Sequence, residues 1–231
     1  MRCLPILAAA ALALTAPLVG AQAEVTQAQD PGAAGLSDRL ALTALVQSLR
    51  AGLGATDSAT LFLEDWCGRY GLAPVGKIVA KRVPGDVPLT AEQRARLEID
   101  ASEPVVYRRV QLTCGDQVLS EADNWYLPNR LTPEINQQLT ETETPFGRAI
   151  RPLVPSRRTL ASTLLWQTLP EGWERQPSGQ LAAWAATAPA LAYDPATSLF
   201  ENRAIVLRQD GKPISEVRET YKMPLIAFRF R

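Results

Sequence analysis

The sequence predicts an α+β fold, in which an antiparallel β-sheet carries helices packed on one side. Three observations favour this class. Segments with helical periodicity come first, two Gly-containing turns each join a pair of strand-like runs, and no regular βαβ alternation appears. The 231 residues suit one domain, and 46% of them are apolar, which is enough for a sizeable core.

The first 23 residues have the pattern of a secretory signal peptide. Arg2 precedes an apolar run from Leu4 to Leu18, and Ala21–Ala23 forms an A-x-A cleavage pattern. The run is short for a bilayer span and contains a proline. We therefore expect cleavage near Glu24, and a periplasmic or secreted protein without a membrane span.

A leader and then a helix are expected next. Residues 24–36 lack an apolar period, which predicts a flexible leader before a single domain over residues 37–231. Ser37 is a candidate N-cap, and Gly52 and Gly54 are expected to stop the helix. Its apolar face is formed by Leu42, Leu45, Val46, Leu49 and Leu53.

A second helix, a strand and a third helix follow. Asp57 or Ser58 is expected to cap a helix that ends at Gly71. The run Val75–Val83 is strand-like. The capping box that starts at Thr90 predicts a short helix over residues 91–97.

Two hairpins are predicted by turn residues between β-rich runs. The first joins the runs Val105–Cys114 and Val118–Leu127 through a turn at Gly115-Asp116. The second joins the runs Ser198–Arg208 and Ile214–Lys222 through a turn at Asp210-Gly211.

The remaining elements are shorter. Pro133 after Thr132 predicts the start of a helix, and residues 145–150 a short helix or turn. Residues 159–169 suit either a strand or a helix, and residues 180–188 look helical. Leu225–Phe230 alternates weakly and is a candidate edge strand.

Composition excludes several classes of function. The chain has 24 basic and 24 acidic residues, which argues against nucleic-acid binding. It has no histidine, which excludes a Ser-His-Asp triad, a Cys-His pair and an H-E-x-x-H zinc site. Two cysteines without histidine also offer too few soft ligands for zinc, so we expect no metal site. We also expect a monomer.

Cys67 and Cys114 remain after removal of the signal peptide. Two cysteines in an exported chain predict one disulfide, worth about 3–4 kcal/mol by the chain-entropy argument. The alternative is two buried free thiols, because sequence does not show that the two residues meet.

Several motifs together resemble the chorismate lyase family. Residues 61–65 (LFLED) look like the family's L-x-L-E-D helix, and residues 106–128 resemble its strand–turn–strand unit with a closing proline. Residues 144–148 (TPFGR) are similar to its T-P-L-G-R turn, and residues 211–213 (GKP) to the start of its last long strand. The matches occur in family order. The effector-binding domains of some transcription regulators share this architecture, so the resemblance indicates the fold more than the activity.

The resemblance implies a chorismate lyase-like fold and a cofactor-free reaction that releases pyruvate from chorismate and leaves a hydroxybenzoate. Such a site needs a guanidinium for a carboxylate, an acid near the ring hydroxyl, and a dry pocket. The family's carboxylate-binding arginine corresponds to Arg108, and the turn contributes Thr144, Phe146 and Gly147 as ligand-binding residues. In an alternating strand, Arg108 and Arg109 point to opposite faces.

The catalytic acid of the family corresponds best to Glu219, but the spacing from Pro213 is one residue longer than in the family. A one-residue slip turns a side chain to the other face of a sheet, although a bulge restores it. Glu216 is therefore the alternative, and Arg218 occupies the position of strict spacing.

Two further departures from the family pattern concern the walls of the site. Asn124-Trp125 stands where the lyases carry an Arg-Thr pair, so one family cation is missing. The insertion over residues 155–200 contains Trp166, Trp173 and Trp184, which form either a lid over a different aromatic ligand or ordinary core and loop packing.

Three functions remain open at this point. The first is an exported lyase acting on chorismate or a related enolpyruvyl compound. The second is a periplasmic binding module for a small aromatic carboxylic acid, which avoids the objection that chorismate is a cytoplasmic intermediate that an exported lyase would rarely meet. The third is an envelope protein that keeps the fold for protein contacts only. A cavity containing Arg108 and an inward acid favours the first, a cavity with Arg108 but no inward acid favours the second, and a filled core favours the third. Of these, the sequence favours the lyase over the binding module.

Overall fold

A computed structural model describes residues 31–231. The predicted signal peptide (residues 1–23) and residues 24–30 of the predicted leader lie outside this range. Six strands form one sheet in the order β1-β2-β3-β6-β5-β4, and every neighbouring pair is antiparallel. The predicted α+β class is thereby confirmed.

The strands are β1 (Ile78–Arg82), β2 (Val106–Cys114), β3 (Gln117–Tyr126), β4 (Ser156–Leu164), β5 (Ser198–Leu207) and β6 (Pro213–Lys222). The helices are α1 (Pro31–Ala55), α2 (Ala59–Arg69), α3 (Ala91–Leu97), α4 (Pro133–Glu141), α5 (Phe146–Ala149) and α6 (Ser178–Thr187), with short 3₁₀ segments at Pro128–Arg130, Arg151–Leu153, Trp173–Arg175 and Met223–Arg229.

Helix α1 is longer at both ends than the sequence predicts. Residues 31–36, which the sequence predicts to be part of the flexible leader, are helical, and Pro31 is the first helical residue, a position that tolerates proline. The helix also continues through Gly52 and Gly54 to Ala55. Gly52 serves a close approach instead, because a Cβ there would lie 2.4 Å from the ring of Phe62.

Helix α2 begins as expected. Ser58 is its N-cap, and its hydroxyl accepts from the amide of Leu61 at 3.4 Å. Near the other end, Cys67 forms the predicted disulfide with Cys114, the last residue of β2, across a Cα–Cα distance of 6.6 Å. Both cysteines are fully buried. The bond therefore fixes α2 against the strand that carries Arg108.

Most helices cover one face of the sheet, which we call the inner face. Alternate residues of β6 point to this face, and they include Val217 and the fully buried Tyr221, which belong to the core cluster with Leu49, Leu53 and Leu63 of the first two helices. Helix α3 contacts the opposite, outer face, where Arg96 donates to both oxygens of Glu216. The rest of the outer face is mostly polar.

The C-terminal segment is not a strand. The sequence predicts Leu225–Phe230 as a candidate edge strand, but Met223–Arg229 forms 3₁₀ turns, and no strand pair among residues 31–231 includes it. Five successive residues from Met223 to Ala227 are buried. A strand at the edge of a half-exposed sheet would alternate instead, so burial on all sides favours the compact turn. The carbonyl of Leu225 also accepts from the indole N–H of Trp66 at 2.9 Å.

The insertion supplies β4 and α6. Residues 156–164 form the edge strand of the sheet, and a register shift follows Thr159. The ambiguous segment 159–169 is therefore a strand as far as Leu164, and residues 165–169 are neither strand nor helix. The backbone of this edge is engaged by other parts of the chain. The amide of Arg157 donates to the carboxylate of Asp57 at 3.3 Å, and the carbonyl of Ser162 accepts from Arg50 at 3.0 Å.

The three insertion tryptophans pack near α1. Trp184 on α6 lies under the guanidinium of Arg39, 5.0 Å from the ring centroid. Trp166 and Trp173 line a small hollow beside Thr43 of the same helix. No helix among residues 31–231 is long and apolar enough to cross a bilayer.

Candidate ligand-binding cavity

A cavity lies between the inner face of the sheet, the first turn of α2 and helix α5. It holds about 50 Å³ of space, or about 550 Å³ when its open mouth is counted. This suits a few water molecules or a compact planar ligand. The lining residues are Asp57, Ser58, Ala59, Thr60, Arg108, Val110, Leu112, Ala122, Asn124, Phe146, Gly147, Ile150, Arg157, Val206, Val217 and Glu219. Half of them are apolar or aromatic, and the four ionisable ones are two arginines and two acids.

Arg108 is a buried cation without a counter-ion. The residue is 5% exposed, and no salt bridge joins it to a carboxylate within residues 31–231. One guanidinium nitrogen donates to the carbonyl of Thr144 at 3.1 Å, but the buried Nε has no hydrogen-bond partner. Burial, together with the nearby charge of Arg82, lowers the pKa of Arg108 to about 10. The side chain is still charged at neutral pH, so the cavity contains an unneutralised positive charge.

The neighbouring Arg109 points to the outer face. Its side chain is 40% exposed and lies 3.6 Å from Glu121 and 3.9 Å from Asp123. The alternation of β2 therefore separates the two arginines as the sequence predicts, with Arg108 in the cavity and Arg109 among acids at the surface.

Glu219 points into the same cavity. Ser215, Val217, Glu219 and Tyr221 are the inward positions of β6, so the spacing that left Glu219 and Glu216 as alternatives is resolved in favour of Glu219. Glu216 is on the outer face with Arg96 at 2.8 Å. The register of β3 and β6 sets Glu219 opposite Ala122.

Arg218, at the position of strict family spacing, is also on the outer face. Its guanidinium lies 2.6 Å from Asp123.

The carboxylate of Glu219 is already paired. A guanidinium nitrogen of Arg157 lies 2.5 Å from its Oε2, and the hydroxyl of Tyr221 donates to the same oxygen at 2.8 Å. Both side chains of the ion pair are less than a tenth exposed. Burial alone would lower the pKa of Arg157, but the charge of Glu219 more than reverses this and raises it. Burial and the same carboxylate raise the pKa of Tyr221 well above its ordinary value, so the phenol keeps its proton.

Arg157 is the functional residue that the sequence analysis missed. In the sequence it appeared only as part of a basic pair in the insertion, and no motif of the resembling family includes it. In the structure β4 brings it to the cavity, where it is a second cation in a site whose strand β3 has Asn124 in place of the family arginine. The charge pattern of β4 gave no signal for it, because the two charged residues of this strand, Arg157 and Arg158, are adjacent, and the face of each depends on how β4 pairs with β5.

The T-P-F-G-R turn contributes two of its three predicted ligand residues to the lining. Phe146 and Gly147 line the cavity, whereas Thr144 does not. The hydroxyl of Thr144 bonds to Thr142 at 2.8 Å, and its carbonyl holds Arg108. Its position therefore suits orientation of Arg108 more than contact with a ligand.

Gly147 is required by close packing at the mouth of the cavity. A Cβ there would lie 3.0 Å from the hydroxyl of Thr60 and 3.2 Å from that of Ser58. The next residue, Arg148, forms an ion pair with Glu64 on α2. The turn and the first helical turn of α2 are thus held together, and they form one wall of the cavity.

The charges of the cavity determine which ligand it suits. Arg108, Arg157 and Glu219 are its buried charges, and their sum is +1; Asp57 is exposed. A ligand with one negative charge would neutralise the buried groups. The aliphatic side chains and Phe146 would contact its apolar part.

Comparison with known proteins gives one relative by sequence. No protein-family model matches the chain. The chain is 45% identical over 192 residues to the uncharacterized protein y4mC of Sinorhizobium fredii, an alignment that covers 82% of this chain and 78% of that protein.

The solved structures with a similar fold include domains of transcription regulators. The effector domain of PhnF from Mycobacterium smegmatis matches with a TM-score of 0.40 and 18% identity, over 63% of this chain and 81% of that one. The ligand-binding domain of a GntR-family regulator from Bordetella bronchiseptica matches with a TM-score of 0.39 and 17% identity, over 63% and 82%. With TM-scores below 0.5, these likenesses imply nothing about the function of this chain.

Proposed function

The chain belongs to the family of the y4mC protein, and we propose that its domain binds a small aromatic carboxylic acid in the Arg108 cavity. The observation that carries the proposal is the buried, unpaired guanidinium of Arg108, with an Nε that has no hydrogen-bond partner. A buried charge without a partner is costly, and buried polar groups are almost always satisfied. A ligand carboxylate supplies both the missing negative charge and the missing acceptor.

The rest of the cavity supports an aromatic ligand with a polar group opposite its carboxylate. Val110, Ile150 and Val217 offer apolar contacts, and Phe146 offers a ring. Strand β3 separates the strands of Arg108 and Glu219, and the register offsets the two residues by two positions along the strands. Two strand spacings across and two residues along put the two backbone positions about 12 Å apart. This span suits a single ring substituted at both ends.

A thermal-shift and calorimetric screen of the mature protein, residues 24–231, tests the proposal. We expect benzoate and 4-hydroxybenzoate to bind and 4-hydroxybenzyl alcohol, which lacks the carboxylate, to bind far more weakly. A ligand at a hundred times its dissociation constant adds about 2.7 kcal/mol of stability. Because Arg108 is charged below about pH 10, affinity should be flat from pH 6 to 8.

Two variants of β2 make the test specific. Arg108→Gln should abolish the ligand-induced shift, since it removes the guanidinium. Arg109→Gln changes the same residue type one position along the same strand, but on the outer face, and should leave binding unchanged. Equal loss of binding in both variants, or binding retained in Arg108→Gln, would overturn the proposal.

A second candidate is the lyase reaction, and the inward position of Glu219 is the observation that favours it. The resemblance implies that this acid acts near the ring hydroxyl of chorismate. Two features favour binding over turnover. Glu219 is neutralised by Arg157 and accepts a hydrogen bond from Tyr221, and a buried charge of +1 is less suited to a dianion such as chorismate. Release of pyruvate from chorismate by the wild type, and its loss in Glu219→Gln, would establish the lyase.

We also propose that the protein acts outside the cytoplasm, as a monomer. The signal-peptide pattern of residues 1–23 and the Cys67–Cys114 disulfide support export, since disulfides persist in oxidising compartments. Fractionation of cells expressing the full chain, with N-terminal sequencing of the product, tests this. A cytoplasmic product that retains Met1 would contradict it.

A further inference from the structure

We propose that Arg157 and Glu219 make the cavity selective for ligands that carry one negative charge and an uncharged polar group at the opposite end. The inference rests on the proposed function, since Arg108 is taken as the anchor of the ligand's carboxylate. It goes further because it assigns a role in ligand selectivity to the ion pair between Arg157, in the insertion, and Glu219, on β6.

The hydrogen bonds of Glu219 leave one of its oxygens available. Arg157 and Tyr221 both donate to Oε2, and no hydrogen bond from residues 31–231 reaches Oε1. Since Glu219 lines the cavity, its free oxygen is an acceptor for an uncharged donor on the ligand, such as a hydroxyl or an amide N–H. Arg157 and Tyr221 are thus positioning residues that act through Glu219.

The charge of Arg157 is already neutralised by Glu219, and the guanidinium has further partners. Besides its bond to Glu219, it donates to the carbonyl of Leu53 at 2.8 Å and to the hydroxyl of Thr159 at 3.4 Å. A second carboxylate on the ligand would therefore meet the negative charge of Glu219 in a buried site. Like charges placed together across an interface discriminate strongly between ligands.

The groups that face Glu219 determine how pH acts on it. Arg157 approaches from β4, Tyr221 from its own strand, and Arg108 lies across the cavity on β2. Asp57 is the exposed acid at the start of α2. The side chains flanking Glu219 on the adjacent strands are uncharged, Ala122 on β3 and Asn202 on β5. Arg157 is therefore its direct counter-ion.

Two acids of nearly the same shape test the inference. Terephthalate carries two carboxylates, whereas 4-carbamoylbenzoate carries one carboxylate and one amide. By calorimetry at pH 7, we expect the wild type to prefer 4-carbamoylbenzoate by at least about tenfold. Glu219→Gln releases Arg157 as a free cation, so this variant should prefer terephthalate.

A second variant provides an independent readout. Arg157→Gln leaves Glu219 buried without a counter-ion, which raises the pKa of that carboxyl. Affinity for 4-carbamoylbenzoate should then increase about tenfold or more between pH 8 and pH 5.5, as Glu219 gains a proton and the cavity regains its net positive charge. The wild type should stay flat. Arg158→Gln is the matched control, because Arg158 is the exposed neighbour on the same strand, and it should behave as the wild type.

The outcomes separate the two proposals. If the wild type binds neither acid, both the proposed function and this inference are overturned. If the wild type binds but Glu219→Gln keeps the same preference, or Arg157→Gln shows no pH dependence, the inference alone is overturned. If Glu219→Gln does not fold, as judged by circular dichroism, the pH profile of Arg157→Gln decides.

Discussion

Breaking the Cys67–Cys114 disulfide should cost this domain about 4 kcal/mol of stability. The two cysteines are 47 residues apart, and the chain-entropy relation for a loop of that length gives about 4 kcal/mol at 25 °C. The bond joins the end of α2 to the end of β2 in the core, where both sulfurs are fully buried. Its loss should therefore be felt by the whole domain, since it links the helix that lines the cavity with the strand that carries Arg108.

Urea unfolding followed by circular dichroism measures this cost on one sequence. The oxidised protein is compared with protein that has been unfolded, reduced and refolded in the presence of reductant, so that no side chain differs. Because both sulfurs are buried, reductant should not open the bond in the folded protein, so oxidised protein kept folded in reductant should show no free thiols. Thiol titration of the oxidised protein after denaturation should likewise show none.

Two results would refute this reasoning. One is a difference between the oxidised and reduced forms smaller than about 1 kcal/mol, which would mean that the loop is already constrained in the unfolded chain. The other is two titratable thiols in the denatured, unreduced protein, which would mean that the bond does not form.

Three further predictions concern single residues and are measured by urea unfolding without ligand. Arg108→Met should leave the domain as stable or more stable by about 1–3 kcal/mol, because it removes a buried charge that lacks a counter-ion; clear destabilisation would contradict its unpaired state. Arg157→Leu should destabilise by about 3–5 kcal/mol at pH 7, because it leaves Glu219 buried and ionised. In that variant the folded-state pKa of Glu219 lies above its unfolded value, so stability should fall as pH rises from about 4.5 to 7 and be recovered on acidification. A loss of stability that does not depend on pH would argue against a buried, ionised Glu219. Gly147→Ala should destabilise by about 1–3 kcal/mol, because the new methyl group meets the hydroxyls at the first turn of α2. Gly179→Ala is the control: it lies in an exposed turn of α6 with no atom within 4 Å of the new Cβ, and it should stabilise by about 0.5–1 kcal/mol. Equal effects at the two glycines would disprove the close packing at Gly147.

The sequence predicted the elements whose signals are local. Turn residues located both hairpins, and the capping box at Thr90 located α3 at Ala91–Leu97, since each signal is a hydrogen-bond pattern between residues a few positions apart. The C-terminal segment could not be predicted in the same way. Its conformation depends on burial of Leu225 and Ile226 against the core, and burial is a property of the whole fold.

The candidate site was predictable where strand alternation decides it. Alternation placed Arg108 and Arg109 on opposite faces, and the resemblance selected the inward one. Alternation alone could not choose between Glu219 and Glu216, because which of the two side chains points inward depends on the register of β6 with β3. Arg157 could not be predicted, since it reaches Glu219 across 62 residues of sequence from an edge strand in the insertion.

The guarded edge of β4 has a consequence for solubility. Most exposed sheet edges offer free amides and carbonyls to any other extended chain, which is a route to aggregation. Here Asp57 and Arg50 occupy backbone groups near the two ends of that edge, although it carries the exposed Leu160. The same strand presents Arg157 to the cavity, so an added chain on the β4 side of the sheet would have to displace two contacts that hold the strand in place beside the ligand pocket.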